Sequence, residues 1–225
     1  MSYTLIRSRR RKKTLSIQVQ RDGTVLIQVP FYTPQADIDR FLKEKKQWLQ
    51  QKILQQQARK NDQQTRAFIP GERFPYLGET YVLKMDGGTD AGEALTFTGR
   101  EFLLRRHALS GIRILFHLWY QKRALLHLEE RVRHFSRLMG LSPRGVTISN
   151  ARSRWGSCSP DNQLTFAWRL IMAPPNVIDY VVIHELSHIK IRNHSRDYWR
   201  LVERILPGCK EQKIWLKDHG HRLTI

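Results

Sequence analysis

The strongest constraint in this chain is the run Ile183-His184-Glu185-Leu186-Ser187-His188, because polar groups stand there inside a segment that is apolar on nearly every side. Residues 176–191 include Val177, Ile178, Val181, Val182, Ile183, Leu186, Ile189 and Ile191. A helix apolar all round belongs in a core, and imidazoles or a carboxylate at that depth need partners to offset desolvation. Helical residues four apart lie one turn above each other, so His184 and His188 aim two imidazoles at one point. Glu185 follows about 100° further round, placed to reach a water on a metal ion. This H-E-x-x-H spacing suits tetrahedral Zn²⁺. His194, six residues past His188, offers a third imidazole after a sharp turn. Three ligands leave one position open, as in catalytic rather than structural zinc sites.

Charge narrows the class of partner. Of 39 Lys and Arg against 20 Asp and Glu, residues 1–70 hold 15 against 5 and residues 105–154 hold 11 against 2. The net charge of +19 therefore resides in two regions, and the metal segment is near neutral. Such surfaces attract phosphate, whether of nucleotides, nucleic acid or lipid headgroups, though a basic face also simply keeps a protein soluble. No apolar run is long enough to span a membrane, and no secretory leader is evident. Two widely spaced cysteines, Cys158 and Cys209, suit a reducing compartment, so a cytoplasmic location is expected.

Along the chain, residues 4–10 and 13–29 read as strands. Leu15, Ile17 and Val19 alternate with polar residues, Arg21-Asp22-Gly23 turns the chain, and Val25, Ile27 and Val29 alternate again, a hairpin signature. The run Arg7 to Lys13 at its entrance reads as a phosphate-binding or localisation cluster, or as solvated strand ends. A helix of about 34–56, capped by Thr33 ahead of Pro34, fades into Gln-rich sequence, and β-rich residues 74–104 follow, with turns at Gly87-Gly88 and Gly99. Residues 110–139 form the longest helix, stopped by Gly140. Val146–Ser149 and Leu164–Trp168 read as strands, Asn176 as a cap for the metal helix, and two short helices close the chain. The expected division is a β-rich N-terminal region with one helix, residues 1–104, and a metal-binding catalytic domain, residues 105–225.

The runs Arg154-Trp155-Gly156-Ser157-Cys158-Ser159, Leu164 to Pro174 and Val177 to His188, followed by Asn193-His194-Ser195, resemble the YgjP-like metallopeptidase family. The N-terminal hairpin, Tyr76-Leu77-Gly78 and Trp119-Tyr120 are also similar to it. The resemblance implies an α+β, zincin-like fold in which the helix bearing the metal motif packs on a small sheet. It implies that His184, His188 and His194 bind zinc and that Glu185 is the general base. Ala167, Ser187 and Tyr198 depart from the family's usual Asn, Cys and Phe, and none of them is a proposed ligand.

Three readings follow. The first is a zinc metallopeptidase in which Glu185 deprotonates a zinc-bound water that attacks a peptide carbonyl. The peptide would pair with residues 164–168 as an exposed edge strand, and Arg154, Ser157 or Tyr198 would bind substrate or stabilise the oxyanion. The second is a metal-dependent pyrophosphohydrolase acting on UTP, as some sequences of that family are described, although no Gly-rich phosphate loop is present. The third is a nucleic-acid-associated protein with structural zinc, in which Trp48, Trp119 or Trp168 stacks on bases; their spacing also suits a core. Asp179 and Glu203 are candidates to orient a ligand imidazole, and His219 and His221 read as surface residues.

Overall fold

In a computed structural model, which describes residues 3–20, 23–62, 66–87 and 92–225, alternation along one strand organises the N-terminal unit. β3 (Val25–Pro30) buries Val25, Ile27 and Val29 on one face. It is the middle strand of three, parallel to β1 (Tyr3–Ser8) and antiparallel to β2 (Ser16–Val19). The expected β2–β3 hairpin is thus present, while its turn residues Arg21 and Asp22 lie outside the described residues. The buried face packs with Ile38 of α1 (Gln35–Glu44) and Leu49 of α2 (Lys46–Asp62). The single helix expected here is broken at Lys45, and Pro34, not Thr33, occupies the cap position. The Thr33 hydroxyl instead donates to the Pro30 carbonyl at 2.9 Å.

The chain divides into two compact units, 1–64 and 65–225, so the boundary expected after residue 104 falls inside the second. There, the β-rich residues share one core with the metal helix, a cluster running from Phe74, Leu83 and Phe102 to Ile183 and Leu186. Their sheet has the order β4 (Arg73–Tyr76), β5 (Glu79–Asp86), β7 (Glu101–Arg105), β6 (Leu95–Phe97). The second sheet has the order β8 (Gly145–Ser149), β10 (Gln163–Ala167), β9 (Gly156–Cys158). β9 lies in the stretch between the two strands expected from the sequence.

Between the sheets runs α3 (Ile112–Met139). Its buried side chains recur every fourth residue, Ile112, Phe116, Tyr120, Ala124, Leu128, Val132 and Ser136, with Phe135 buried beside the last. Each such step overshoots a turn by about 40°, so this stripe winds around the helix. Near its start, Phe116 stacks on Phe74 with ring centroids 4.1 Å apart and meets Phe102 at 5.1 Å. Tyr120 donates its hydroxyl to the Pro75 carbonyl at 2.6 Å. Further on, Arg131 makes a bidentate pair with Asp179 at 2.6 and 2.9 Å, tying α3 to the metal helix, α4 (Pro175–Lys190). Gly140 ends α3 in the left-handed conformation, φ 62°, with Leu141 N–H returning to Ser136 O, a glycine stop.

The β4–β5 turn explains why Leu77-Gly78 matters. Leu77 N–H donates to Ile171 O at 2.9 Å and Gly78 N–H to Met172 O at 3.2 Å. A Cβ on Gly78 would lie 2.9 Å from Pro174 Cα. This turn therefore docks on the strap leading into α4, where Pro174 rather than Asn176 occupies the cap position. Among the described residues no helix is long and apolar enough to cross a membrane. Because Phe116 is fully buried at the centre of the aromatic cluster, Phe116→Ala is expected to cost about 3–5 kcal/mol, measured by chemical denaturation.

Candidate metal centre

α4 is buried on most of its circumference, through Val177, Ile178, Tyr180, Val181, Val182, Ile183 and Leu186. His184 and His188 lie one turn apart on it, with ring centroids 5.1 Å apart. The chain leaves the helix in extended form at Ile191 and re-enters one, α5 (Arg196–Ile205), whose cap Ser195 accepts from Tyr198 N–H. His194 stands just ahead of that cap, and its Nε2 comes to 3.1 Å from His184 Nε2. One nitrogen from each of the three rings lies within 4.8 Å of the others.

Their surroundings set the protonation state. His188 Nδ1 is 3.1 Å from Ile191 O; a proton there leaves Nε2 with its lone pair free. His184 Nδ1 is buried with no hydrogen-bond partner among the described residues, so Nε2 is that ring's polar outlet. Burial above all, then the neighbouring His188 and His194, pulls the His184 pKa down to about 3, and burial also lowers that of His188. Both rings are held neutral, the form that donates to a metal. Two nitrogens bound to one tetrahedral zinc stand roughly 3.3 Å apart, close to the spacing of His184 and His194. Three imidazoles suit zinc and similar transition ions rather than Mg²⁺ or Ca²⁺, which favour oxygen. The residues fit such an ion.

Aromatic packing fixes these rings from behind. Tyr198, with no exposed surface, stacks on His188 at 4.6 Å between centroids, and its hydroxyl donates to the His184 carbonyl at 2.9 Å. Trp199 lies parallel to His194 at 5.8 Å. Glu185 is only 6% exposed, and burial raises its pKa to about 7, against the opposing pull of Arg154. A Cβ on Gly156 would lie 2.5 Å from Glu185 Cγ and 2.6 Å from Oε1. The glycine therefore lets β9 approach α4 at the carboxylate.

β10, expected to be the exposed edge, is the central strand, and β9 is at the sheet edge. The bonds Ala167 N–H to Trp155 O and Ser159 N–H to Gln163 O flank the Ser157–Thr165 pair. By the antiparallel alternation, Gly156 and Cys158 turn their backbone groups to the free edge. Since the Gly156 Cβ direction faces Glu185, the Ser157 side chain points to the other face of the sheet. Of the three substrate contacts expected, the Tyr198 hydroxyl is thus committed to the backbone and Ser157 faces away. Arg154 remains, exposed and acting on Glu185.

Other expectations are corrected. Asp179 is engaged by Arg131 rather than by an imidazole, and Glu203 accepts from Gly208 N–H and Cys209 Sγ, holding the turn after α5. His219 and His221 are half-buried, not surface residues; His219 stacks on Trp215 at 4.9 Å. Arg192 was not anticipated. It donates to Ser159 O at 2.7 Å, to Pro160 O at 3.1 Å and to Asn162 Oδ1, clamping the β9–β10 turn to the loop that carries His194. Both cysteines are free.

An imidazole triad beside a buried carboxylate on a core helix defines the class, a metal-dependent hydrolase. The chain belongs to the YgjP-like family, matching its metallopeptidase domain over residues 13–219. Membership makes it a metallohydrolase using a divalent metal and points to peptide substrates. No curated protein matches the sequence. Among solved structures, the chain is similar to the metallopeptidase zymogen abylysin of Pyrococcus abyssi, with 26% identity over 40% of this chain and 93% of that one, TM-score 0.37. It is also similar to the zymogen jannalysin of Methanocaldococcus jannaschii, with 16% identity, the same coverages and TM-score 0.37.

Gly156→Ala forces a methyl into the Glu185 side chain. The expected result is a loss of about 1–3 kcal/mol of stability from overpacking with metal content unchanged, read by thermal melting alongside metal analysis.

Proposed function

We propose that the protein is a zinc-dependent peptidase in which His184, His188 and His194 hold the ion and Glu185 is the general base. The observation that carries this reading is the convergence of three imidazole nitrogens within 4.8 Å, with Glu185 on the helix that bears His184 and His188. Zinc, when bound, supplies a Lewis acid that acidifies water and polarises a carbonyl. Glu185, one residue from His184 and shielded from solvent, takes a proton from the attacking water and returns it to the leaving amine.

An extended peptide adds to the free edge of β9, where Gly156 and Cys158 offer backbone donors and acceptors. Arg192 keeps that edge in register with the His194 loop. Arg154, at the entrance to β9, is the residue placed to meet negative charge developing on the scissile carbonyl. Tyr198 positions His184 and His188 and does not touch substrate.

Metal analysis of the purified protein is expected to give one zinc per chain, and His184→Ala, His188→Ala and His194→Ala each to lower that occupancy at limiting metal. Glu185→Gln is expected to retain the zinc and lower cleavage of an unfolded protein substrate by about 10²–10⁴-fold. Undiminished turnover rejects the role of Glu185. Release of pyrophosphate from UTP without peptide cleavage replaces the peptidase reading with the nucleotide one.

A further inference from the structure

The two basic regions differ in what the fold does with them. In the second, Arg113 lies over the Phe68 ring and donates to Arg66 O, Arg131 is paired with Asp179 and Arg144 with Asp161, and Arg123 lies over Trp119. Part of that charge is engaged in contacts within the second unit. Trp119 and Trp168 are packed in its core as well, which removes them as platforms for bases.

The first unit presents its charge to solvent instead. A groove of about 960 Å³ lies between the β1–β2 connection and the β3–α1 turn, near the upper end of the roughly 300–1,000 Å³ usual for ligand sites. Arg9, Arg11, Lys12, Lys13 and Arg40 line it, against the acids Asp37 and Glu44. Arg11 is fixed by neutral partners, donating to Ser16 Oγ at 2.9 Å and Gln28 Oε1 at 2.5 Å, so its charge is not cancelled there. The Arg40–Asp37 pair spans 3.5 Å with both side chains well exposed, a weak pairing.

Aromatic rings complete the groove. Arg9 covers Phe31 at 4.9 Å from its centroid, and the next residue, Tyr32, is 89% exposed. The turn bearing it is nonetheless fixed. Arg7 donates to Phe31 O at 3.0 Å and Thr33 O at 2.6 Å, and Thr33 N–H donates to Pro30 O. A lone exposed tyrosine is ordinary, but here an immobilised turn holds an open ring at the lip of a cationic groove.

We infer that this groove binds single-stranded nucleic acid, with Arg9, Arg11, Lys12 and Lys13 along the phosphates and Tyr32 stacked on a base. A cationic track beside an aromatic platform is the arrangement that holds single strands without sequence preference. Paired bases in a duplex are already stacked and leave this ring no face to cover. A membrane surface would favour a convex apolar patch over a concave groove whose exposed ring stands at its rim. The inference is independent of the hydrolytic reading, since its residues all belong to the first unit.

The test is fluorescence anisotropy of a labelled twenty-residue oligothymidylate titrated with the intact chain at several salt concentrations. Binding is expected to weaken with salt, and to be tighter than to a duplex of the same length. Tyr32→Ala is expected to weaken it about fivefold or more. Lys12→Ala with Lys13→Ala is expected to reduce the slope of log affinity against log salt by about 1.4, at roughly 0.7 per lost phosphate contact. Wild-type affinity in Tyr32→Ala, equal binding of duplex, or capture of phosphatidylserine vesicles with no binding of the oligonucleotide each overturns the inference.

Discussion

Desolvation of α4 is the constraint from which the site follows. A helix buried on nearly every side must either exclude polar groups or pair them, and this one carries two imidazoles and two carboxylates. Neighbouring groups meet part of that demand. Tyr198 takes up the His184 carbonyl, Ile191 O faces His188, and Arg131 on α3 engages Asp179 near the helix start. Beyond these contacts, one nitrogen of each of the three rings turns toward the others, and a cation is the natural complement to them.

The second sheet meets the same helix from the other direction. Without a side chain at position 156, β9 approaches the Glu185 side chain more closely than any other residue type would permit. The carboxylate is therefore buried by backbone, which shields it from solvent while leaving the strand's hydrogen-bonding groups on its far edge. Arg192 then joins the turn beyond β9 to the loop bearing His194. The third imidazole and the free edge are in this way parts of one construction.

Much of this was legible in the sequence, for reasons that can be named. The 176–191 helix, the 110–139 helix with its glycine stop and the first hairpin rest on periodicity and end signals that act locally. β9 escaped because three residues, Gly156 to Cys158, are too few to show alternation and include none of the branched or aromatic side chains that mark strands. That omission made β10 look like an edge. Asp179 was misassigned because spacing says which face a residue occupies but not what approaches it from 48 positions away. Tyr198 and Arg192 illustrate the same limit: both reach backbone carbonyls, which no residue pattern advertises. The placement of charge was visible as two basic regions, but only folding separates charge that braces the second unit from charge that lines an open groove.

The winding stripe on α3 has a consequence for how such chains vary. Because its two halves serve different neighbours through one uninterrupted helix of 28 residues, about 42 Å long, α3 is in effect a ruler with a phase. Inserting one residue near Ala124 would swing everything downstream by about 100°, carrying Arg131 off its carboxylate and the later buried positions into solvent. Length differences are therefore expected to collect in the connections at either end, leaving the interval between Phe116 and Arg131 at a fixed count.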